Sequence, residues 1–127
     1  MTLRPVPHRA NDPGLIVTLL PGRAGLCLSG EADLLGADVL RAAMAALPAD
    51  IPEIHLDMAA LRSIDVCCAR ELLSLAHRPP RPQLILHQPP ASLTLLIRLL
   101  APDCSQNPVQ PGPGTPNGSA VVIRAAG

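Results

Sequence analysis

Two adjacent cysteines, Cys67 and Cys68, follow an aspartate at a point where the sequence predicts the start of a helix. Asp65 is suited to be the helix N-cap, because its carboxylate can accept a hydrogen bond from a free backbone N–H group of the first turn. The same N–H groups and the helix dipole favour an anion, such as a phosphate or a thiolate. These residues leave two interpretations open, a reactive thiol at Cys67 and a small apolar side chain that fills space.

Three further carboxylates could do chemistry. Glu31 and Asp33 follow Gly30 in a short polar turn, where they could act as a catalytic pair, be solvated, or cap the next helix. Asp57 lies near the C-terminal end of a strand whose residues alternate between apolar and polar, which is where α/β sheets place ligands. We expect Asp57 to have a structural role, as a hydrogen-bond acceptor for the loop around Ser63.

The cysteines and histidines do not indicate an enzyme. The four cysteines lack the paired spacing of a zinc site, so we expect no metal ligands and no disulfides. No histidine lies at a spacing from a serine or cysteine that supports a hydrolytic triad. No glycine-rich phosphate loop is present. We therefore predict no catalytic residues and no cofactor.

Composition excludes further classes of function. The chain has 127 residues, ten basic and ten acidic side chains, and no aromatic residue. Without a basic excess or aromatic stacking platforms, nucleic-acid binding is not expected. No apolar run reaches the length of a membrane span, and the first 13 residues lack the apolar centre of a secretory signal. We expect a cytoplasmic protein that does not insert into membranes.

The order of predicted elements indicates an α/β fold with a largely parallel sheet. A hairpin of strands (15–20 and 26–29) precedes three helices that alternate with two further strands. The predicted helices are 38–47, a helix that begins after Asp65, and a helix capped by Ser92, and the later strands are 54–58 and 84–86. We predict a disordered segment at 1–14, one domain at 15–101, a Pro/Gly-rich linker or tail at 102–119, and an edge strand or tail at 120–127.

Three segments resemble, in order and spacing, the STAS domain of anti-sigma-factor antagonists. They are Leu28–Asp33 with its Gly-Glu-Ala-Asp turn, Ile54–Asp57, and Ile64–Leu73 with the loop and helix start around Asp65. The resemblance covers about residues 15–101. It implies a four- or five-stranded mixed sheet with about three helices packed on one face. It also implies binding to a histidine-kinase-like anti-sigma factor, and thus regulation of transcription.

The resemblance implies site residues, with one departure from the family pattern. In the family, a loop serine accepts phosphate from the partner kinase, and aligned on Asp65 that position is Cys67, so we predict a degenerate phosphorylation site. Ser63 is not at the acceptor position. The expected partner-binding residues are Gly30, Glu31 and Asp33 in the turn, and Ser63, Asp65, Val66, Cys67, Cys68 and Arg70 around the loop. Two alternatives are a redox switch at Cys67 and a soluble STAS subunit of a membrane transport system.

Overall fold

A computed structural model describes residues 14–109 and 120–125. Within them the chain forms β1 (Leu15–Leu19), β2 (Gly25–Ala32), α1 (Ala37–Ala45), β3 (Glu53–Ile64), α2 (Val66–His77), β4 (Gln83–His87), α3 (Ala91–Leu100), β5 (Ser105–Pro108) and β6 (Ala120–Arg124). A short 3₁₀ turn, Leu34–Gly36, leads into α1. The architecture is α/β, as the order of elements predicted.

The six strands of the described residues form one mixed sheet in the order β1-β2-β3-β4-β6-β5. The three central strands, β2, β3 and β4, are parallel neighbours, and β1 pairs antiparallel with β2. At the other side, β6 pairs antiparallel with both β4 and β5. The sheet therefore has more strands than the four or five expected.

The additional strands come from the segment that composition assigned to a tail. β5 lies inside the predicted linker at 102–119, and β6 lies between two strands where an edge strand was expected. The physical reason is pairing: the Ala120–Arg124 run supplies backbone groups to strands on both sides and buries Ile123. The predicted segments at 1–13, 110–119 and 126–127 lie outside the described residues.

An aliphatic core lies between one face of the sheet and the three helices. Alternate residues of β2, β3 and β4 point into it, and the helices contribute leucines from one stripe each. Its most deeply buried members include Leu28, Leu40, Leu56, Leu72, Leu86 and Leu93. Because the chain has no aromatic residue, leucine and isoleucine, with smaller numbers of methionine, alanine and cysteine side chains, fill this volume.

β3 is longer than predicted, and this length matters for the site. The alternation at Ile54, Leu56 and Met58 breaks where the pairing with β2 shifts register, and the strand then continues to Ile64. Leu61 and Ile64 return to the core after the shift. β3 therefore carries the chain directly to Asp65, with no intervening loop around Ser63. In α3, the helix begins at Ala91 after Pro90, so Ser92 is not its cap.

Candidate functional site

The start of α2 is fixed at the ends of β2 and β3. The backbone N–H of Asp65 donates to the carbonyl of Ala32, at 2.8 Å, which joins the last residue of β2 to the helix cap. The Asp65 carboxylate accepts from the N–H of Cys68, at 3.1 Å, in the geometry of an N-cap. Val66, Cys67 and Cys68 are thus the first three residues of α2, as the sequence predicted.

The two cysteines occupy different environments. Cys68 is fully buried, and its thiol donates to the carbonyl oxygen of Asp33, at 3.2 Å. Burial, followed by the nearby charges of Asp65 and Asp33, raises the pKa of Cys68 to about 12. Cys68 is therefore a neutral core thiol, which corrects its predicted place on the partner-binding surface.

Cys67 faces the other way and is half-buried at the surface. It packs partly against the core. Among the described residues no side chain is hydrogen-bonded to its thiol, so no base there activates it. Its position at the start of α2 places it near the free N–H groups of the first turn. Together with the exposed Val66 and Arg70, Cys67 is a predicted site residue that the structure leaves accessible at this helix start.

Gly30, Glu31 and Ala32, predicted as a turn, are instead the end of β2, and the backbone of Gly30 is one that only glycine adopts easily. Gly30 has φ of +89°, and a β-carbon there would collide with the carbonyl oxygen of Gly14. The pairing of β2 with β3 shifts register between Gly30 and Glu31, so the strand bends at this point. Glu31 is exposed, with an oxygen 3.8 Å from the guanidinium of Arg62.

Asp33 has a capping role. Its carboxylate accepts from the N–H of Gly36, at 3.2 Å, and so begins the 3₁₀ turn. Gly36 is buried with its α-carbon against the side chain of Leu15, where a β-carbon would be too close. This packing turns the other two residues of the 3₁₀ turn, Leu34 and Leu35, outward.

An exposed apolar patch results beside Cys67. Leu34 is 67 % exposed, Leu35 44 % and Val66 39 %; we call these three residues the apolar rim. Large apolar side chains are seldom exposed next to one another on a protein that has no partner, and such patches mark interaction sites. Sequence reasoning missed Leu34 and Leu35, although two successive leucines directly after a polar turn were a signal.

A groove of about 460 Å³ runs between the start of α1 and the start of α2, and we call it the α1–α2 groove. It is lined by Leu34, Leu35, Ala37, Asp38, Arg41, Cys67, Arg70 and Glu71. Arg41 spans it as a fork, with Nε 3.1 Å from one Glu71 oxygen and Nη2 2.7 Å from the other. Hydrogen bonds and the charge of Glu71 raise the pKa of Arg41. Arg70 is exposed at the rim of the groove.

The remaining predicted residues lie apart from this groove. Ser63 is exposed on β3, opposite Glu31 in the strand pairing. Asp57 lies in the middle of β3 and accepts from the N–H of Ala59, at 3.0 Å. Asp57 therefore forms its hydrogen bond within β3, at the place where the register shifts. This corrects the expected hydrogen bond to the loop around Ser63.

The face of the sheet away from the helices carries a second polar cluster. The rings of His55 and His87 stack with centroids 5.1 Å apart, and His55 Nδ1 lies 2.9 Å from His87 Nε2. Glu53 contacts the other nitrogen of His55 at 2.8 Å, and Arg23 lies 3.3 Å from Nδ1. Burial, then the charges of His55 and Arg23, lowers the pKa of His87.

Comparison with models of known protein families and with curated proteins finds no match. In the described part of the chain, no helix has both the length and the apolar character needed to cross a membrane. The arrangement around Cys67 offers apolar contact area, the half-buried thiol of Cys67 and the exposed guanidinium of Arg70. Such a surface is suited to holding another protein, because interface centres favour low charge with isolated arginine contacts.

Proposed function

We propose that this chain is a STAS-like protein-binding module that acts as an anti-sigma-factor antagonist. In this proposal the apolar rim and the α1–α2 groove bind a histidine-kinase-like anti-sigma factor, which releases a sigma factor and raises transcription in the cytoplasm. The observation that supports it most is the exposed apolar rim beside the capped start of α2. The sequence resemblance around Gly30–Asp33 and Asp65 points to the same surface.

The proposal includes a binding state that phosphorylation does not switch off. In the family that the sequence resembles, the phosphoacceptor is a serine hydroxyl, and here Cys67 presents a thiol at the second residue of α2. The partner kinase therefore has no hydroxyl at this position to which it can transfer phosphate. Binding is then governed by the amounts of the two proteins.

Binding to a histidine-kinase-like anti-sigma factor encoded beside this gene tests the proposal. We expect a stoichiometric complex by calorimetry, and Leu34→Asp should weaken it at least about tenfold, because a buried charge replaces an apolar contact. Leu99→Asp is the matched control: Leu99 is 69 % exposed, close to the 67 % of Leu34, but lies on α3. We expect the control to bind as the wild type does.

Two results would overturn the proposal. One is the absence of any complex with such a kinase, and the other is equal binding by the Leu34→Asp and Leu99→Asp variants. A stable complex with a transport permease in place of the kinase would assign the same surface to a different partner. Cys67→Ser adds a second readout, because restoring the hydroxyl should allow phosphate transfer from ATP by the kinase, detected as a mass increase on that peptide.

A redox variant of the same module is a second candidate, which the contrast between the two cysteines favours. Cys67 is half-buried at the surface, whereas Cys68 is fully buried with a raised pKa. Oxidation at Cys67 would then place a polar group in the groove and weaken docking. Peroxide treatment should reduce binding of the wild type but not of Cys67→Ser.

A further inference from the structure

A second cluster of side chains lies on the far end of α2, away from the groove. His77 is the last residue of α2, and Asp103 and Cys104 lie in the connection between α3 and β5. His77 Nε2 is 3.1 Å from Asp103 Oδ2 and 4.0 Å from Cys104 Sγ. All three donor atoms lie within 4.8 Å of one another.

We propose that His77, Asp103 and Cys104 form a binding site for a divalent zinc-class cation. One nitrogen, one carboxylate oxygen and one sulfur form a donor set that zinc accepts in proteins. Tetrahedral zinc, with bonds of about 2.0–2.3 Å, places neighbouring donor atoms about 3.3–3.6 Å apart. The observed 3.1 and 4.0 Å need only small side-chain adjustments to reach that geometry.

The orientation of the imidazole supports metal binding. His77 Nδ1 lies 2.8 Å from the carbonyl oxygen of Leu73, one turn earlier in α2, and donates its proton there. A carbonyl partner on one ring nitrogen fixes the ring and directs the other nitrogen, here Nε2, toward a metal. The Asp103 carboxylate and the Cys104 thiol both lie near this Nε2.

The same geometry does not fit a thiol-based catalytic triad. In such a triad the carboxylate binds the nitrogen that faces away from the thiol, so that the other nitrogen can take the thiol proton. Here Asp103 and Cys104 approach the same nitrogen of His77. Burial also raises the pKa of Cys104, which disfavours a free thiolate nucleophile. A bound cation supplies the positive charge that a thiolate at this position requires.

The site has an opening for a fourth ligand. The side chains of His77 and Asp103 are 39 % and 50 % exposed, whereas Cys104 is buried beneath them. A surface depression of about 560 Å³ adjoins the cluster, with Arg70 and Ser74 among its lining residues. Three protein ligands with water in the fourth position match this arrangement. Binding releases the thiol proton of Cys104 to solvent, along with the Nε2 proton of any protonated His77.

Calorimetric titration of the full chain with Zn²⁺, after chelator treatment and in a non-thiol reductant, tests the site. We expect one Zn²⁺ per chain. Co²⁺ serves as the spectroscopic probe, since a cysteine ligand produces a thiolate-to-cobalt charge-transfer band together with the visible bands of a tetrahedral ion. Cys104→Ser should abolish the charge-transfer band, and His77→Gln should weaken Zn²⁺ affinity by at least about 10–100-fold, the loss typical even of groups that only support a ligand.

Cys67→Ser is the matched control, because it removes a thiol at the other end of α2 and leaves the three ligands intact. It should retain both the stoichiometry and the charge-transfer band. Circular dichroism of each variant without metal establishes that the variant is folded. Asp103→Asn changes the third ligand and keeps the shape of its side chain. Failure of the wild type to bind Zn²⁺, or a charge-transfer band that persists in Cys104→Ser, would overturn the proposal. Neither result bears on binding at the α1–α2 groove.

Discussion

Adjacent cysteines on one helix differ in reactivity when only one of them reaches solvent. Cys68 is fully buried, donates its thiol proton to the Asp33 carbonyl and has a pKa raised to about 12. Cys67 lines the α1–α2 groove. Since the thiolate is the reactive species, we expect a mild alkylating agent at neutral pH to modify Cys67 well before Cys68.

Tandem mass spectrometry of the alkylated native protein locates the label on either cysteine. Labelling after unfolding is the control, because both thiols should then react at similar rates. Cys104 is a further internal reference, since it is buried in the structure although it lies in the segment predicted to be a linker or tail. Equal labelling of Cys67 and Cys68 in the native protein would contradict this account of the helix start.

The side chain of Asp65 contributes to stability by accepting a hydrogen bond from the N–H of Cys68. We expect Asp65→Ala to lower the free energy of unfolding by about 0.5–2 kcal/mol, the usual cost of losing an N-cap. Asp65→Asn keeps an oxygen that can accept the same bond, so it should stay close to the wild type. Urea denaturation followed by circular dichroism measures both, and an equal loss in the two variants would mean that the hydrogen bond to Cys68 is not how Asp65 stabilises α2.

At the scale of the elements, two glycines with positive φ allow the cost of backbone strain to be distinguished from the cost of a steric clash. Gly22 has φ of +78° with open space around it, whereas Gly30 has φ of +89° and faces the carbonyl of Gly14. We expect Gly30→Ala to lower the free energy of unfolding more than Gly22→Ala does, with a strain contribution of about 1–3 kcal/mol common to both. Thermal and urea unfolding of the two variants give the comparison, and similar losses would show that the Gly14 contact is unimportant.

The histidine cluster on the open sheet face predicts a pH dependence. The pKa of His87 is lowered by burial and by the charges of His55 and Arg23, and Asp57 opposes the shift only in part. The unfolded chain therefore takes up this proton more readily, so the free energy of unfolding should fall as the pH drops below about 6.5. His87→Gln should reduce that fall, measured by urea denaturation between neutral and mildly acidic pH.

His77→Gln is the opposing control, studied with a chelator present. The pKa of His77 is raised by its hydrogen bonds to Leu73 and Asp103, so its contribution to stability is complete below about 6.5 and is lost as the pH rises through the raised value. Its removal should make the acid-side loss steeper. A His87→Gln variant whose stability depends on pH as that of the wild type does would contradict the conclusion that burial of His87 causes the loss of stability at acid pH.

The sequence predicted those elements whose local pattern matches their tertiary role. α2 is an example, because Asp65 is a suitable cap and Ala69, Leu72 and Ala76 fall on one face, all of them buried. β5 was missed because Ser105–Pro108 has the composition of a linker and becomes a strand only by pairing with β6. The full length of β3 was missed because a register shift interrupts its alternation.

The candidate sites were predictable only in part, for a related reason. Asp65 and Cys67 lie within three residues of each other, so a local motif reveals them. The His77 cluster joins residues 26 positions apart and depends on how α2 packs beside the α3–β5 connection. The apolar rim likewise depends on Gly36 packing against Leu15. Neither long-range contact leaves a periodic signal in the chain.

At the scale of the whole molecule, the fold extends beyond the domain predicted at 15–101. β6 pairs with β4 and β5, and its Ile123 is buried in the common core. A chain that ends at residue 109 would expose the edge of β4 and open the core. We expect this truncation to abolish cooperative unfolding, measured by circular dichroism and thermal denaturation.

Ile123→Ala in the full-length chain is the companion variant. It keeps the backbone pairing of β6 and removes only core volume, so it should fold with a loss of about 2–5 kcal/mol. Since typical domains have only about 5–15 kcal/mol of stability, circular dichroism at low temperature first establishes that the variant is folded, and its thermal denaturation is then compared with that of the truncated chain. A truncated chain that unfolds cooperatively, as the wild type should, would return β6 to the status of a dispensable tail.

The fork between Arg41 and Glu71 has a consequence for how any partner meets this protein. It joins the two helices that form the walls of the α1–α2 groove, with two short charge-assisted contacts. Both helices are also packed in the common core through Leu40 and Leu72, so the walls are preorganised and little backbone freedom remains to be lost when the groove is filled. Association should then proceed as rigid-body docking on this side, in a single kinetic step, with any slow rearrangement confined to the partner.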